Sequence, residues 1–307
     1  MENIQRKLET FKVRTPLTFD TPLESYTTFR VGGPAEVLAE PDTVDDLIEL
    51  MKVSHDAGIP VTVLGGGSNI LISDRGISGM VIRTTRLTAM RRDGDKIHVG
   101  AGAPIGDASA FAGNHGLGGL DFIYGMPGTT GGAVWMNARC YDGEISNILD
   151  SVRLLPLTSV SSHDIEEYHT KLSDFAYKVS PFQDNRRVII EATFKLSSAD
   201  PDRLWQHMRE HEDDRRQKGH YTLPCAGSIF KNDRTFGAPS GKIIDSVGMR
   251  GIRHGGAQVS ENHGNIIVNT GSATAGEIRE LIEHVQSRVH DATGFLLEPE
   301  VLYLGDW

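Results

Sequence analysis

A glycine triplet between two apolar runs is the feature that most constrains how this chain folds. It lies in VTVLGGGSNILISD, from Val61 to Asp74. Glycines without Cβ atoms let the backbone turn sharply and approach a ligand closely, and successive N–H groups in such a turn form a nest for an anion, typically a phosphate. The run matches neither the GxGxxG fingerprint nor a P-loop, because no lysine follows the glycines. It therefore disfavours a Rossmann NAD site and a nucleoside triphosphatase, and an ordinary strand-to-loop turn stays open.

A second glycine-rich segment, GLGGLDFIYGMPGTTGGAVWMNA, runs from Gly116 to Ala138. Its Pro127-Gly128 pair indicates a turn. Thr129 is a suitable cap for a helix beginning near Gly131, and a helix N-terminus is a good anion site. Two separate phosphate-binding candidates predict a diphosphate held between two lobes, as in a dinucleotide cofactor.

Composition narrows the class of protein further. The chain has 307 residues, 38% hydrophobic, and a net charge of −10 without a long basic block, which argues against non-specific nucleic-acid binding. Cys140 and Cys225 form neither a disulfide framework nor a CxxC metal site, so we expect both to be small buried residues. The N-terminal residues lack the apolar core of a signal peptide, and no apolar run has the length of a membrane span. We therefore expect a soluble, cytoplasmic protein of roughly two domains.

Local patterns predict an α+β chain in three parts: 1–86, 87–199 and 200–307. The first part alternates strands with a helix, and the second combines a hairpin, a short helix and two alternating strands. The third begins with a charged helix. In chain order the expected elements are a charged helix or arm over residues 1–19, strand Ala35–Glu40, helix Thr43–Ala57 with a stop at Gly58, strands Val61–Leu64 and Gly79–Arg83, hairpin Met90–Val99, helix Ile105–His115, strands Ser151–Leu157 and Arg187–Leu196, helix Asp200–Gly219, strand Asn265–Asn269, helix Thr274–Ala292 stopped by Gly294, and a final strand over LEPEVLYLG.

Six segments in fixed order carry a resemblance to a known family. They are TTFRVGGPAE (Thr27–Glu36), VLGGGSNILISD, GMPGTTGGAVWMNA, AGSIFKN (Ala226–Asn232), GAQVSENHGNIIVN (Gly256–Asn269) and LEPEV (Leu297–Val301). The chain resembles the UDP-N-acetylenolpyruvoylglucosamine reductase family, flavoenzymes of bacterial cell-wall synthesis. The short distance from Tyr177 to the strand at Arg187 is typical of the shorter members, which lack a tyrosine-bearing loop.

The resemblance implies a fold and a reaction. The fold is a two-lobed FAD-binding domain of the vanillyl-alcohol-oxidase type, in 1–86 and 87–199, plus a C-terminal α+β substrate-binding domain in 200–307. The reaction uses FAD and NADPH to reduce the enolpyruvyl ether of UDP-N-acetylglucosamine to UDP-N-acetylmuramate. The implied partner is this small-molecule substrate, with no nucleic acid, membrane insertion, metal or obligate protein partner.

Three catalytic residues follow from the same resemblance. Hydride addition to the terminal carbon places negative charge beside the substrate carboxylate, which needs electrostatic stabilisation and then a proton. Ser228 matches the family's proton-donating serine, and Glu300 matches a glutamate that stabilises the enol form or helps to supply the proton. The third position departs from the family, because DFAYKVSPF has Lys178 where arginine is usual. Lysine offers a point charge instead of a planar fork, so Arg186 or Arg187 is an alternative partner for the carboxylate.

Further positions are implied for the cofactor and the substrate. The cofactor residues are Gly65, Gly66, Gly67, Ser68 and Asn69 at the pyrophosphate, with Gly125, Pro127, Gly128, Thr129, Thr130, Gly131 and Gly132 opposite. Thr28 and Arg30 either reach the cofactor or only cap and pack. The substrate candidates are Tyr177, Lys231, Asn232 and Gln258, with core packing open for Tyr177 and a solvated surface role open for Lys231. For His263 we favour a structural role, and Lys242 is a weaker nucleotide candidate.

Two other hypotheses compete with this interpretation. One is an oxidase of the same FAD fold, which would tether flavin through His115 or Cys140. The other is a non-catalytic UDP-sugar-binding module. A third pattern, HMREH over His207–His211, spells the HxxEH zinc-protease motif but lies in a strongly charged segment, so we interpret it as an exposed helix face.

Overall fold

The structure is a computed structural model that describes residues 2–159, 161–184 and 186–307. Within these ranges the helices are α1 Glu2–Glu9, α2 Val44–Ala57, α3 Ile105–Asn114, α4 Thr130–Trp135, α5 Pro201–Gln217, α6 Ser240–Ser246 and α7 Ala275–Thr293. The strands are β1 Leu17–Pro22, β2 Pro34–Ala39, β3 Val61–Leu64, β4 Ile70–Ile72, β5 Ile77–Arg83, β6 Met90–Asp93, β7 Lys96–Gly100, β8 Leu117–Gly118, β9 Arg139–Cys140, β10 Gly143–Glu144, β11 Leu149–Pro156, β12 Glu166–His169, β13 Arg187–Lys195, β14 Ser197–Ser198, β15 Cys225–Ser228, β16 Arg253–His254, β17 Ala257–Val259, β18 Ile266–Asn269 and β19 Leu302–Leu304.

The chain divides into two compact units. The first comprises Met1–Asp20, Glu36–Gly66 and Gly79–Asp213, and the second comprises Thr21–Ala35, Gly67–Ser78 and Asp214–Trp307. The glycine triplet is therefore split, with Gly65 and Gly66 in the first unit and Gly67 in the second. The three-part division expected from the sequence stays a prediction.

A strongly capped helix helps to order the first unit. The Thr43 hydroxyl accepts the N–H of Asp46 at 3.1 Å, and the Asp46 carboxylate accepts the N–H of Thr43 at 3.1 Å. This reciprocal capping box begins α2, and Gly58 ends it with φ +61°. The helix buries one face in an apolar cluster that also contains side chains of β2 and β5, and each such large buried side chain contributes roughly 1.5–3 kcal/mol.

Antiparallel pairing forms the larger sheet of the first unit, with strand order β12-β11-β13-β7-β6. Strands β6 and β7 form a hairpin in which Asp93 pairs with Lys96. The glycine between them, Gly94, has φ +60°, the left-handed conformation that a tight hairpin turn requires. Phe182, Phe194 and Val134 are among the buried residues of the associated core.

The second unit is a four-stranded sheet of order β15-β18-β17-β16 that packs with α6 and α7. Helix α7 begins at Thr274, which forms a capping box with Glu277. Asp74 adds a second cap, because its carboxylate accepts the N–H groups of Ala275 at 2.8 Å and Gly276 at 2.9 Å. The last residue of the glycine-rich motif thus stabilises a helix N-terminus by hydrogen bonds and by its charge.

Most local predictions are confirmed, including the stops of α2 at Gly58 and of α7 at Gly294, the hairpin and the strands at Ser151, Arg187 and Asn265. The final strand is wrong for LEPEV, because the strand covers only Leu302–Leu304, where it pairs in parallel with β4. The N-terminal prediction is incomplete, because β1 already starts at Leu17. Among the described helices, none has both the length and the apolar character to cross a membrane.

Candidate active site

The two glycine-rich segments contact each other within the first unit. A Cβ atom added to Gly65 would lie 2.6 Å from Thr129 Oγ1, and one added to Gly66 would lie 2.9 Å from Gly128 Cα. At both distances the added Cβ atom would clash with its neighbour. The absence of side chains at Gly65 and Gly66 therefore allows the two loop backbones to approach each other.

Helix α4 begins where the sequence predicts, but its first N–H groups are already used. The Thr129 hydroxyl caps the helix by accepting the N–H of Gly132 at 3.3 Å. The N–H of Thr130 donates to Ala103 O at 2.8 Å, and that of Gly131 donates to Ala101 O at 2.8 Å. These three N–H groups are therefore not available to a phosphate. This contradicts the expectation that the N-terminus of this helix binds an anion.

The triplet loop keeps the donors that a phosphate needs. Within the described residues, no protein acceptor takes the N–H of Gly66, Gly67 or Ser68. Gly67 has φ +65°, and a Cβ there would lie 2.1 Å from Tyr26 O. Its carbonyl accepts the N–H of Thr28 at 3.0 Å. A tight loop with unused N–H groups fits a nucleotide diphosphate.

Asn69 contacts a catalytic candidate. In the second unit its Nδ2 donates to the carbonyl oxygen of Glu300 at 3.1 Å, and its own carbonyl accepts the N–H of Leu302 at 3.0 Å. Glu300 is 9% exposed and lies just before β19. Asn69, in the middle of the glycine-rich motif, thus helps to hold Glu300 in place.

A β-bulge positions Ser228. Cys225 pairs with Val268 and Ser228 pairs with Ile266, so β15 has one residue more than β18 over this stretch. The extra residue is accommodated at Gly227, which has φ +73°. Bulges are common next to active sites because they redirect a side chain.

Backbone hydrogen bonds also join the segment that follows Ser228 to the segment that contains Glu300. The N–H of Glu300 donates to the carbonyl of Ile229 at 2.7 Å, and the N–H of Lys231 donates to Glu298 O at 2.9 Å. The segments around the two catalytic candidates of this unit are therefore hydrogen-bonded neighbours. Their sequence separation is large, so only the fold reveals this.

A pocket of about 370 Å³ opens beside Ser228. Its lining includes Lys242, Arg250 and Asp245, and the Arg250 Nε donates to Asp245 Oδ1 at 2.9 Å. Glycines keep the pocket open: a Cβ at Gly264 would lie 2.3 Å from Asp245 Oδ1. The pocket therefore offers two cations and a carboxylate close to the expected proton donor.

The expected substrate residues of this unit are not all in the pocket. Asn232 lines it, and its Oδ1 accepts the N–H of Ser240 at 2.9 Å. Lys231 Nζ is 2.6 Å from Glu298 Oε1, an ion pair that a phosphate would have to replace. Gln258 is buried in β17, where its Nε2 donates to Gly251 O at 3.2 Å, and it is not among the pocket residues of the described chain.

Two half-buried histidines lie near this pocket. His263 lines it, and its Nδ1 accepts the N–H of Asn265 at 3.1 Å. Burial lowers the pKa of His263, and burial with the nearby Arg215 lowers the pKa of His220 to about 4. Both rings are therefore neutral near pH 7, and the Nδ1 atom of His263 can serve as an acceptor.

In the first unit, Lys178 is held in an unusual backbone conformation. It has φ +60°, and its Nζ lies 6.0 Å from the centre of the Tyr177 ring. Gln183 Nε2 donates to Lys178 O at 3.0 Å and to Trp135 O at 2.9 Å, and Ser180 Oγ donates to Trp135 O at 2.6 Å. The loop that carries Lys178 is therefore fastened to the C-terminal end of α4.

Of the two alternative arginines, Arg187 is already engaged through its side chain. Arg187 Nη2 donates to Pro181 O at 3.1 Å and lies 3.3 Å from Asp184 Oδ2. Arg186 is exposed, and its backbone N–H donates to Asp184. Which of these three cations meets the substrate carboxylate stays a prediction.

The structure also gives the surroundings of two further cofactor candidates and of both cysteines. Thr28 lies against Gly67, and Arg30 is exposed with φ +57°. Cys225 is buried as expected, whereas Cys140 is only half-buried and its Sγ donates to Phe122 O at 2.9 Å.

The histidine pattern on α5 faces solvent only in part. His207 is exposed, but the ring of His211 stacks on Tyr141 with centroids 3.9 Å apart.

Sequence reasoning missed two buried amides, one in each unit. Asn265 and Asn137 are 2% and 0% exposed. Asn137 Nδ2 donates to Ala176 O at 3.0 Å. Their only signal in the sequence is an asparagine inside a glycine-rich or apolar segment, where polar side chains need hydrogen-bonding partners.

Two parts of the chain match known protein families. Residues 35–157 match the FAD binding domain family, and residues 218–304 match the UDP-N-acetylenolpyruvoylglucosamine reductase C-terminal domain family. With the loops described above, these matches define a flavoprotein oxidoreductase, which uses FAD and NADPH, with a separate C-terminal domain. The chain belongs to the UDP-N-acetylenolpyruvoylglucosamine reductase family, as its sequence predicts.

The individual matches extend over almost the entire chain. The enzyme of that name from Treponema denticola is 41% identical over 95% of this chain and 94% of its own length. The one from Caldicellulosiruptor saccharolyticus is 36% identical over 99% of this chain and 96% of its own length. The crystal structure of the Thermus caldophilus reductase has a TM-score of 0.78, 31% identity, and covers 95% of this chain and 99% of its own. The α+β fold class, an FAD-binding domain followed by a C-terminal domain, is confirmed.

Proposed function

We propose that this protein reduces UDP-N-acetylglucosamine enolpyruvate to UDP-N-acetylmuramate with NADPH, in the synthesis of peptidoglycan precursors. The observation that carries the proposal is the direct backbone pairing between the segment of Ser228 and that of Glu300. A proton donor and a carboxylate on neighbouring backbone segments suit a reaction that creates charge next to a carboxylate and then protonates the adjacent carbon.

Bound FAD supplies hydride transfer from NADPH to the terminal carbon of the enolpyruvyl group. The residues proposed to hold it are Gly65–Asn69 and Gly125–Gly132. The N–H groups of Gly66, Gly67 and Ser68 are the donors proposed for its diphosphate, because the described chain does not use them. Thr28 supports that loop from behind through its bond to Gly67 O.

Ser228 is proposed to give its hydroxyl proton to the α-carbon of the substrate. A serine is a weak acid, but a carbanion next to a carboxylate is a strong base, so a positioned hydroxyl suffices. Glu300 is proposed to stabilise the enol form or to help supply the proton. Its burial limits competition from water for the same contacts.

Lys178 is proposed to stabilise the charge that develops on the substrate carboxylate. A fixed cation contributes most when it does not need to reorganise during the reaction. The clamp of Gln183 and Ser180 on its loop supplies that rigidity. Lysine can thereby replace the arginine that is usual in the family.

Cations in the second unit are proposed to bind the diphosphate of the sugar nucleotide. Lys242 and Arg250 line the pocket beside Ser228, and Lys231 can join them if its pair with Glu298 opens. Asn232 and Tyr177 are proposed as further substrate contacts, and Gln258 as a supporting residue behind the pocket. A cytoplasmic location and independence from a protein partner belong to the same proposal.

An anaerobic visible spectrum of the purified holoenzyme tests the function. NADPH is added first and the UDP-linked enolpyruvyl sugar second. We expect NADPH to bleach the flavin band and the sugar to restore it. Ser228→Ala should leave bleaching unchanged and slow the recovery by at least about 10²-fold, as expected when a catalytic acid is removed.

The possible failures separate the parts of the proposal. A protein that contains no flavin after reconstitution with FAD would contradict the cofactor site. Bleaching without recovery in the wild type would contradict the substrate. Normal recovery in Ser228→Ala would remove the role of Ser228 and leave the rest intact.

A further inference from the structure

Asn265 forms an unusually complete set of hydrogen bonds next to Ser228. Its Oδ1 accepts the N–H of Phe230 at 2.8 Å, and its Nδ2 donates to Phe230 O at 2.8 Å. Its backbone carbonyl accepts the N–H of Ile229 at 2.9 Å. The side chain is 2% exposed and also borders the pocket beside Ser228.

The amide of Asn265 acts as a substitute for a backbone peptide group. The bulge at Gly227 disturbs the ladder between β15 and β18, so the next residues cannot all pair in the regular way. A carboxamide carries one acceptor and one donor in a plane, as a peptide does. It therefore satisfies both backbone groups of Phe230 where an apolar side chain would leave two buried polar groups unpaired.

The same residues connect Ser228 to Glu300. On its other edge the Ile229–Lys231 segment pairs with the Glu298–Glu300 segment, where Phe230 opposes Pro299 in an isolated bridge. Asn265 on one edge and the Glu300 segment on the other fix this short stretch on both sides. A shift of the stretch would move Ser228, which directly precedes it, away from Glu300.

The geometry points to Asn265 as a positioning residue for the proton transfer that completes the reduction. It holds the Ile229–Phe230 backbone, and thereby the Ser228 hydroxyl, at a fixed distance from Glu300. It does not touch the reacting atoms. This inference rests on the proposed roles of Ser228 and Glu300 and adds to them the element that sets their geometry.

Half-reaction kinetics with Asn265→Ala test the inference. Flavin reduction by NADPH should stay within about twofold of wild type, while reoxidation by the enolpyruvyl substrate falls by about 10²-fold, the order expected for a displacement near 1 Å. The solvent deuterium isotope effect on reoxidation should rise, because proton transfer becomes slower. An equal loss in both half-reactions, or an unchanged isotope effect, would show a purely structural role.

Asn265→Asp gives a second test that does not depend on a large truncation. A protonated carboxyl group keeps one acceptor and one donor, as the amide does, whereas the ionised form loses the donor to Phe230 O. Burial raises the pKa of such a carboxyl group. Reoxidation by this variant should therefore recover as the pH falls, relative to wild type at each pH. No relative recovery at low pH would contradict the inference.

Hydrogen exchange of the protein without flavin gives a readout apart from activity. The amide protons of Ile229 and Phe230 should exchange faster in Asn265→Ala than in wild type. Thr270→Val is the matched control, because it removes a side-chain bond to Gly256 O of 2.9 Å elsewhere in the unit. It should leave those two protons and the isotope effect unchanged, and unchanged exchange in Asn265→Ala would overturn the inference.

The results for Asn265→Ala and Ser228→Ala distinguish a failure of the positioning role from a failure of the proposed function. If Ser228→Ala slows reoxidation but Asn265→Ala does not, the positioning role fails and the proton donor stands. If Ser228→Ala has no effect, the proposed donor itself fails, and faster exchange at Phe230 then describes only local packing.

Discussion

Single residues in this protein are constrained by close backbone contacts more than by their own chemistry. Gly67 is the clearest case, since its φ of +65° and the carbonyl of Tyr26 both exclude a side chain. The sequence indicates that the position needs glycine, because a triplet in a loop rarely has another explanation. It does not indicate that the atom which excludes a side chain here is the carbonyl oxygen of Tyr26, because Tyr26 is far from Gly67 in the sequence.

We expect Gly67→Ala to lose most of its bound FAD. The new Cβ would lie 2.1 Å from Tyr26 O, so the loop must move and its N–H groups lose their directions. Gly58→Ala is the matched control: its φ is +61°, but no atom lies within 4 Å of the added Cβ. Both variants pay roughly 1–2 kcal/mol for the left-handed conformation. Flavin content per protein, read from the visible absorbance, should fall only in Gly67→Ala, and equal retention in the two variants would contradict the proposed site.

At the scale of elements, a short helix connects two parts of the proposed site. The N-terminal end of α4 contacts the glycine triplet through Thr129, and its C-terminal end accepts bonds from Ser180 and Gln183. The cap at Thr129 is predictable, because a threonine before the first helical residue has one physical role. The attachment of the Lys178 loop is not predictable, because the acceptor is a backbone carbonyl that any residue would present.

Lys178→Ala should separate the two half-reactions. We expect reoxidation by the enolpyruvyl substrate to fall by about 10²–10³-fold, the usual cost of removing one electrostatic group from a developing charge, with little change in reduction by NADPH. Lys178→Arg is the control, because it keeps the charge and has the same backbone strain at φ +60°. It should retain most of the activity. Rapid-mixing absorbance measures both steps, and equal losses in both would exclude the assignment.

At the scale of the whole molecule, the half-buried, neutral His220 makes folding depend on pH. The pKa of His220 falls from 6.5 to about 4, first because of burial and then because of the charges of Arg215, His263 and Lys218, against Asp214. The unfolded chain therefore binds this proton before the folded protein does. The stability contributed by neutral His220 is complete above about pH 6.5 and is lost as the pH falls towards about 4.

Replacing His220 should flatten that part of the pH profile. The free energy of unfolding of the wild type should decrease between about pH 6.5 and about pH 4, and that of His220→Gln should decrease less. Urea unfolding of the flavin-free protein across this range measures the difference between the two slopes. Parallel slopes would mean that the histidine is protonated in the folded protein as readily as in the unfolded chain.

The sequence alone determined the local structure and the family. Helix stops, turns and apolar periodicity act over a few residues, so Gly58, Gly294 and the hairpin glycine could be predicted directly from their neighbours. The ordered motifs indicated the reductase family and its FAD chemistry. The charge replacement at Lys178 was also visible in the sequence.

Only the tertiary structure decided how distant segments meet. The adjacency of Ser228 and Glu300, the cap of α7 by Asp74, and the clamp of Asn265 on Phe230 all depend on side-chain or backbone bonds between residues far apart in sequence. It also showed that the first N–H groups of α4 are used within the protein, whereas no acceptor in the described part of the chain takes those of Gly66, Gly67 and Ser68. The physical reason is that each hydrogen-bonding group has a limited capacity, and which partner takes it depends on the packing of the entire chain.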